Sequence, residues 1–587
     1  MPRRNDTELP WKLRAGASAT RAPERARPGT SRRKRLGHDS SGRFLGPFER
    51  RPVAWLALVA GIAASAVVRL RLLEIPLERD EGDYAYIAQL LLQGIPPYGE
   101  AYEMRMPGIF AAYALILAAF GHTPAAIHLG LLIVNAATSV VLFLLGRRLF
   151  DGATGAGAAV AFSALSLSPA VLGTSANTEH FVLLPALVGA RVLIDARRRP
   201  LFLLASGLAF GVAALMKQPG ACFALFGASV LLAELWRARL LRSAAGWAAL
   251  GWFGAGAVLP FAATAVALWW AGTFSEFWFW TIEYPLEYAG AFGHAGAWLR
   301  LEQRLGGLFA SAPGSWLLVG VGAVSLLPRT PSPRQSAPSE RAWLLGFTLV
   351  SLLAIAPGLR FRPQHFVLLL PALCLLAGRG VSAIGTWLAR FGSTRLAGAA
   401  QLAVLALGLT LYARHERRFL LQMGPLEASR ALYGLNPFPE SLEIARYLAE
   451  HTGPDDRIAV LGSEPQIYFY ARRRSATPFL LTYELMRGHE HAKGMQQEMI
   501  RELEQAEPAY LVYVNVDASW LPGTDSERLL LDWYLEHVEE RYTQVGLIEI
   551  DSILSRFTWG EAAARRAPAV REWVAVWRRK DAVDADR

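Results

Sequence analysis

Between residues 53 and 413 the chain is a succession of long apolar runs joined by short polar loops. A run of about 20 apolar residues matches the thickness of a bilayer core, and in lipid it must satisfy its backbone hydrogen bonds internally, as a helix does. This patterning fixes the fold class as an α-helical polytopic membrane protein. The composition agrees: charged residues are 19% of the chain, against about 25% in soluble domains. From 414 to 587 the sequence returns to soluble character, which marks a domain boundary. Strand-like segments at 458–461 and 510–516 there, with amphipathic helical patterns at 440–450 and 494–505, predict a small α/β domain. It carries no nucleotide-binding glycine pattern.

The candidate spans fall at 53–73, 125–146, 153–172, 181–196, 201–216, 219–235, 245–271, 306–327, 342–357, 366–388 and 396–412, about eleven in all. The apolar piece Gly108–Phe120 is too short and is expected to lie in the interface or re-enter. With that assignment Arg147, Arg148, Arg197–Arg199, Arg237, Arg239, Arg242, the loop 328–341, Arg390 and Arg395 share one side. Excess Lys and Arg marks the cytoplasm. The expectation is therefore a plasma-membrane protein with residues 1–50 inside and 414–587 outside the cytoplasm.

Residues 1–50 are rich in Arg, Ser, Gly and Pro. They predict a disordered basic tail able to hold anionic membrane lipid, with no removable signal peptide. Tail and loops account for much of the net charge of +11, so nucleic acid is excluded as a partner. The two cysteines, Cys222 and Cys374, lie inside apolar runs and lack metal-ligand spacing. Neither a metal nor another cofactor is expected.

Polar residues collect at the expected outer ends of the spans. Asp80, Glu81 and Asp83 follow the first span, in Arg79-Asp80-Glu81-Gly82-Asp83-Tyr84. Such a cluster supplies a general base or merely a solvated helix start. In the same loop, 74–124, Glu103, Arg105 and Pro107 precede the short apolar helix. Arg105 is placed to bind phosphate in bidentate fashion or to snorkel at the interface. Glu179-His180, Lys217-Gln218-Pro219-Gly220 and the stretch Arg360, Arg362, His365 complete the set. The aromatic loop with Trp278, Trp280, Glu283, Tyr284, Glu287 and Tyr288 fits sugar stacking or an interfacial belt equally well.

Residues 79–121, RDEGDYAYIAQLLLQGIPPYGEAYEMRMPGIFAAYALILAAFG, resemble the first outer loop of the dolichyl-phosphate-mannose protein mannosyltransferase superfamily, which includes the bacterial aminoarabinose-lipid A transferases. The segments SANTEHFVLLPAL, LMKQPG and RFRPQHFVLLLPAL resemble later parts of that group in the same order. The family carries Lys where this chain has Arg105, and Pro where it has Met106.

The resemblance implies a GT-C-type fold, a polyprenyl-phosphate sugar donor, and a lipid, polysaccharide or protein acceptor. Asp80 would be the base of an inverting transfer, with Glu81 and Glu179 as further catalytic acids. Arg105, Lys217, Arg360, Arg362, His365 and Tyr84 would bind the lipid phosphate and sugar. The competing class is a polytopic transporter or lipid flippase, which would need midplane polar groups and internal repeats. A transferase-like assembly factor without catalysis is a third, against which the intact acidic pair weighs.

Overall fold

The computed structural model describes residues 51–196, 199–286, 296–327, 338–391, 394–552 and 554–581. The expected tail 1–50, the loop 328–337 and the aromatic-loop residues Glu287 and Tyr288 lie outside the described residues. The membrane region begins with α1 (Arg51–Arg71), α2 (Arg79–Leu92), α3 (Gly108–Phe120), α4 (Pro124–Leu149) and α5 (Gly152–Leu165). It continues with α6 (Thr178–Asp195), α7 (Pro200–Met216), α8 (Ala221–Arg237), α9 (Ala244–Ala271) and the short α10 (Phe274–Trp278). Helices Ala297–Ser311, Pro313–Ser325, Pro338–Ala354, Leu370–Leu388 and Thr394–His415 complete it.

Every expected apolar run forms helix, though the helices differ in length. Among the described residues six helices are long and apolar enough to cross a membrane, or seven if the bent pair Ala297–Ser311 and Pro313–Ser325 is one span. Gly108–Phe120, Gly152–Leu165 and Pro200–Met216 are apolar but shorter. The largest departure is at 306–327, expected as one straight span. The chain there bends by 105° between Ala297–Ser311 and Pro313–Ser325. Pro313 explains the break, because it has no N–H to continue the preceding helix and is pre-set to start a new one.

Small residues set the helix packing. An added Cβ on Gly207 would lie 2.1 Å from the Phe253 carbonyl oxygen, so α7 and α9 meet backbone to backbone there. Gly157 and Gly378 do the same between α5 and Leu370–Leu388. Close approach through small residues is how helices associate in lipid, where burial of apolar surface gives little drive.

After two linking helices, Pro425–Tyr433 and Phe438–Glu450, the chain builds a six-stranded sheet in the order β2-β1-β3-β6-β4-β5. The strands are β1 (Arg457–Leu461), β2 (Arg474–Ser475), β3 (Tyr510–Asn515), β4 (Tyr542–Glu549), β5 (Arg556–Trp559) and β6 (Trp573–Arg579). Strand β1 pairs in parallel with β2 and β3, whereas β6 runs antiparallel to β3 and β4. The central strands are buried and rich in Val, Leu and Ile, the composition of strands covered on both faces. One apolar core runs without a break from α2 and α3 into this domain. The loop after α1 and the C-terminal domain therefore lie on the same face of the membrane region.

Candidate active site

Helix α2 gives each residue of its opening motif a different neighbour, because successive helical residues point about 100° apart. Arg79 reaches the C-terminal domain, donating to the Ser463 carbonyl at 2.6 Å and pairing with Glu464 at 3.1 Å. Gly82 faces the same domain, and an added Cβ would lie 2.6 Å from both the backbone nitrogen and the Cβ of Gln466. Only glycine lets α2 approach so closely. Asp80, Asp83 and Tyr84 stand at helical spacing on a third side, and Asp80 and Tyr84 both meet Arg105.

Glu81 is not brought to that cluster. Its carboxylate accepts from the Glu78 backbone N–H at 3.1 Å, closing a capping box with the helix N-cap. It also accepts from the Ala176 N–H at 2.5 Å and stands 3.1 Å from His128 Nε2. The adjacent acids of the motif thus split, with Glu81 tied to the helix start and the membrane helices and Asp80 turned to the cations.

Arg105 is held at the centre by its own loop. Its guanidinium lies 3.3 Å from Asp80, 3.3 Å from Glu103 and 3.1 Å from the Tyr84 hydroxyl. The Tyr98 hydroxyl donates to the Arg105 carbonyl at 2.7 Å. Gly108 then allows contact with the end of α7, since a Cβ there would sit 2.5 Å from the Leu215 oxygen. The Gln218 amide donates to the Met104 carbonyl at 2.9 Å, fixing the Lys217-Gln218 segment against the same loop.

Lys217 pairs with Glu179 at 2.5 Å, and His365 Nε2 stands 4.0 Å from the same carboxylate. Glu179 is placed by the first turn of α6 and also accepts from the Thr178 hydroxyl at 3.1 Å. Arg360 and Arg362 come from a loop in which Gly358, Leu359 and Phe361 all have positive φ. Two non-glycine residues in the left-handed region within three positions mark stored strain, held by the surrounding packing.

The site is buried and its charges act on one another. Burial pushes the Asp80 carboxyl up, but Arg105, Arg362 and Lys217 together pull it below its ordinary value. Asp80 is therefore anionic at neutral pH. Asp83 behaves oppositely: burial and the neighbouring Glu103 carboxyl push it well above the usual range. Glu103 is also raised by burial, against the pull of Arg105. Among the described residues no group of three or more His, Cys, Asp or Glu side chains is arranged to hold a metal ion.

The sequence-expected residues Asp80, Tyr84, Arg105, Glu179, Lys217, Arg362 and His365 thus form one polar centre, with Arg360 beside it. What sequence reasoning missed is the contribution of the C-terminal domain. The short helix Thr482–Leu485 brings Tyr483 and Glu484 to the site, and Arg487 follows with its guanidinium 4.9 Å from the Tyr483 ring centre. Both Tyr483 and Glu484 are buried, and both feel the charges of Asp80, Glu103 and Arg105. No local motif marks this segment, which reaches the site only through the docking of α2. The aromatic loop packs inward rather than forming a belt alone: Trp280 stacks on Tyr102 at 5.2 Å and is buried, while Trp278 is exposed.

Residues 105–271 match the family model of dolichyl-phosphate-mannose-protein mannosyltransferases, a range that includes Arg105, Glu179 and Lys217 and begins after Asp80. The structure superposes on that of ArnT from Cupriavidus metallidurans bound to undecaprenyl phosphate, with a TM-score of 0.55 at 16% identity, covering 89% of this chain and 98% of that one. The chain has the GT-C glycosyltransferase fold. The apo form of the same ArnT gives a TM-score of 0.51 at 17% identity over 90% of this GT-C chain and 98% of that one. The archaeal oligosaccharyltransferase AglB from Archaeoglobus fulgidus, in complex with an inhibitory peptide and a dolichol-phosphate, gives 0.48 at 12% identity over 87% and 75%. No curated protein sequence matches the chain. The resemblance expected from residues 79–121 is borne out at the level of fold and family model.

Proposed function

We propose that this GT-C chain transfers a sugar, mannose or another hexose or pentose, from a polyprenyl-phosphate donor to an acceptor hydroxyl, with inversion at the anomeric carbon. The observation that carries the reading is the Asp80–Arg105 pair, 3.3 Å apart and buried beside Lys217 and Arg362. It offers an ionised base and a cationic surface in one place. The acceptor O–H gives its proton to Asp80, and the acceptor oxygen attacks the anomeric carbon. The bond from that carbon to the phosphate oxygen breaks, and the lipid phosphate leaves with the electron pair. Arg105, Lys217 and Arg362 stabilise the charge that develops on it, the kind of term that usually contributes most to catalysis. Glu179 holds Lys217 in place for that role. The ArnT structure that shares this fold is bound to undecaprenyl phosphate, which supports a donor of this class here. The acceptor is a lipid, a polysaccharide or a protein.

The same reading puts the site, with 414–587, outside the cytoplasm and residues 1–50 inside at the plasma membrane. A reporter active only in the cytoplasm is then silent when fused after Arg587, and activity there refutes the orientation. The function itself is tested with purified chain in proteoliposomes, supplied with a panel of polyprenyl-phosphate sugars and cell-envelope acceptor fractions. Release of free polyprenyl phosphate with sugar on the acceptor is expected. Movement of intact donor lipid between leaflets, with no sugar transferred, would refute the reading in favour of a flippase.

A further inference from the structure

Glu484 is an ionisable side chain in a place that packing alone does not explain. It belongs to the C-terminal domain, is only 3% exposed, and its Oε1 has no hydrogen-bond partner. An unpaired carboxyl oxygen buried in protein costs stability, so its retention calls for a ligand or a strain. Its backbone is firmly set. The His489 ring shares a hydrogen bond with the Glu484 carbonyl at 3.0 Å, and the adjacent Tyr483 N–H donates to Ser463 Oγ at 3.1 Å. Ser463 in turn donates to the Ser519 carbonyl, and its own carbonyl accepts from Arg79. The carboxyl is thus positioned by the same contacts that dock α2.

Its electrostatic surroundings are Glu103, Arg105, Arg360 and Asp80. Two of these, Arg105 and Asp80, are the proposed phosphate clamp and base. On the transferase reading, a sugar esterified to a phosphate on Arg105 and open to attack assisted by Asp80 would carry its ring hydroxyls among these groups.

We propose that Glu484 is a specificity-determining residue that hydrogen-bonds a hydroxyl of the sugar carried on the donor lipid. The inference rests on the transferase reading above. Burial, reinforced by Glu103, pushes the Glu484 carboxyl well above the usual range despite Arg105 and Arg360. In its protonated form, which that shift favours, the group can both donate to and accept from a hydroxyl. Glutamine has the same shape and the same two capacities.

The test is binding, with no acceptor present, so that a hydroxyl on an acceptor cannot supply the signal. Full-length wild type, Glu484→Ala and Glu484→Gln in nanodiscs are titrated with bare undecaprenyl phosphate and with undecaprenyl phosphate carrying mannose, glucose, galactose or arabinose. Wild type should bind one sugar-bearing lipid more tightly than the bare lipid. Glu484→Ala should lose about tenfold or more of that preference, the weight of a hydrogen bond to an ionisable group. Its affinity for bare lipid should be unchanged, and its thermal stability without lipid equal to or above wild type, because an unpaired buried carboxyl has been removed. Glu484→Gln should keep most of the preference. An unchanged preference in Glu484→Ala, or a wild type indifferent to all four sugars, overturns the proposal. Failure of wild type to bind even bare undecaprenyl phosphate instead refutes the lipid-phosphate reading beneath it.

Discussion

The close contact between α2 and the C-terminal domain at Gly82 can be probed by one substitution. In Gly82→Ala the new Cβ would lie 2.6 Å from Gln466 N, 2.6 Å from its Cβ and 2.8 Å from its Cα. Two of these three are backbone atoms that no rotamer change can move. Restoring ordinary contact requires α2 and the helix Gln466–Ala471 of the C-terminal domain to separate by about 1 Å, an overpacking cost of roughly 1–3 kcal/mol. Alanine also gains about 1 kcal/mol over glycine within a helix, so the raw stability change is small and needs a reference. Gly251→Ala in α9 is that reference, since nothing lies within 4 Å of its added Cβ. Thermal unfolding in nanodiscs should put Gly82→Ala about 1–3 kcal/mol below Gly251→Ala. Asp80 lies two residues away on the same helix, and a 1 Å misplacement of a reacting group costs about 10²-fold in rate. Sugar transfer by Gly82→Ala should therefore fall by about that factor. Equal stability and equal transfer by the two variants would refute the claim that contact between α2 and the C-terminal domain sets the site.

Two further predictions follow from the ion pairs. Arg105→Ala should weaken binding of undecaprenyl phosphate and also move the acid limb of the pH–rate profile to higher pH, while Arg105→Lys retains part of both functions. The sign follows from Asp80, whose carboxyl burial raises and Arg105 lowers. With Arg105 gone, only Arg362 and Lys217 still oppose burial, so the base needs a higher pH to ionise; a downward or absent shift contradicts this. Glu464→Ala should destabilise the domain junction by about 3–5 kcal/mol, because it leaves Arg79 without its buried partner. Limited proteolysis reads the loosened junction, and Arg79→Ala combined with Glu464→Ala should cost less than the sum of the single changes.

Much of the membrane region was legible because lipid allows so few solutions. Apolar length predicts the long helices, and α3 as too short to span. The bend at Pro313 was not legible, because averaged hydropathy runs through a proline that the backbone cannot ignore. The clustering of Asp80, Arg105 and Lys217 was legible where resemblance and charge agreed. The motif was misleading at Glu81, since adjacency in sequence means separation by about 100° around a helix. The sequence grouped Asp83 with Asp80 and Glu81 and did not foresee its pairing with Glu103, which depends on how the chain folds back at Tyr98, where φ is +70°. The role of Tyr483 and Glu484 was invisible, because only the docking of α2 onto the Gln466 helix brings residues about 400 positions apart into one centre.

The central claim is that Asp80, and not its acidic neighbours, takes the acceptor proton. Its most direct test compares initial rates of sugar transfer by wild type, Asp80→Asn, Glu81→Gln and Glu179→Gln, each matched for membrane insertion and abundance. Removing a general base costs about 10²–10⁴ in rate, and Asp80→Asn should show that loss with donor-lipid binding retained. Glu81→Gln should act mainly on stability, through the capping box and the contacts at His128 and Ala176. Wild-type transfer by Asp80→Asn, with the steep loss appearing instead in Glu81→Gln or Glu179→Gln, would contradict the account.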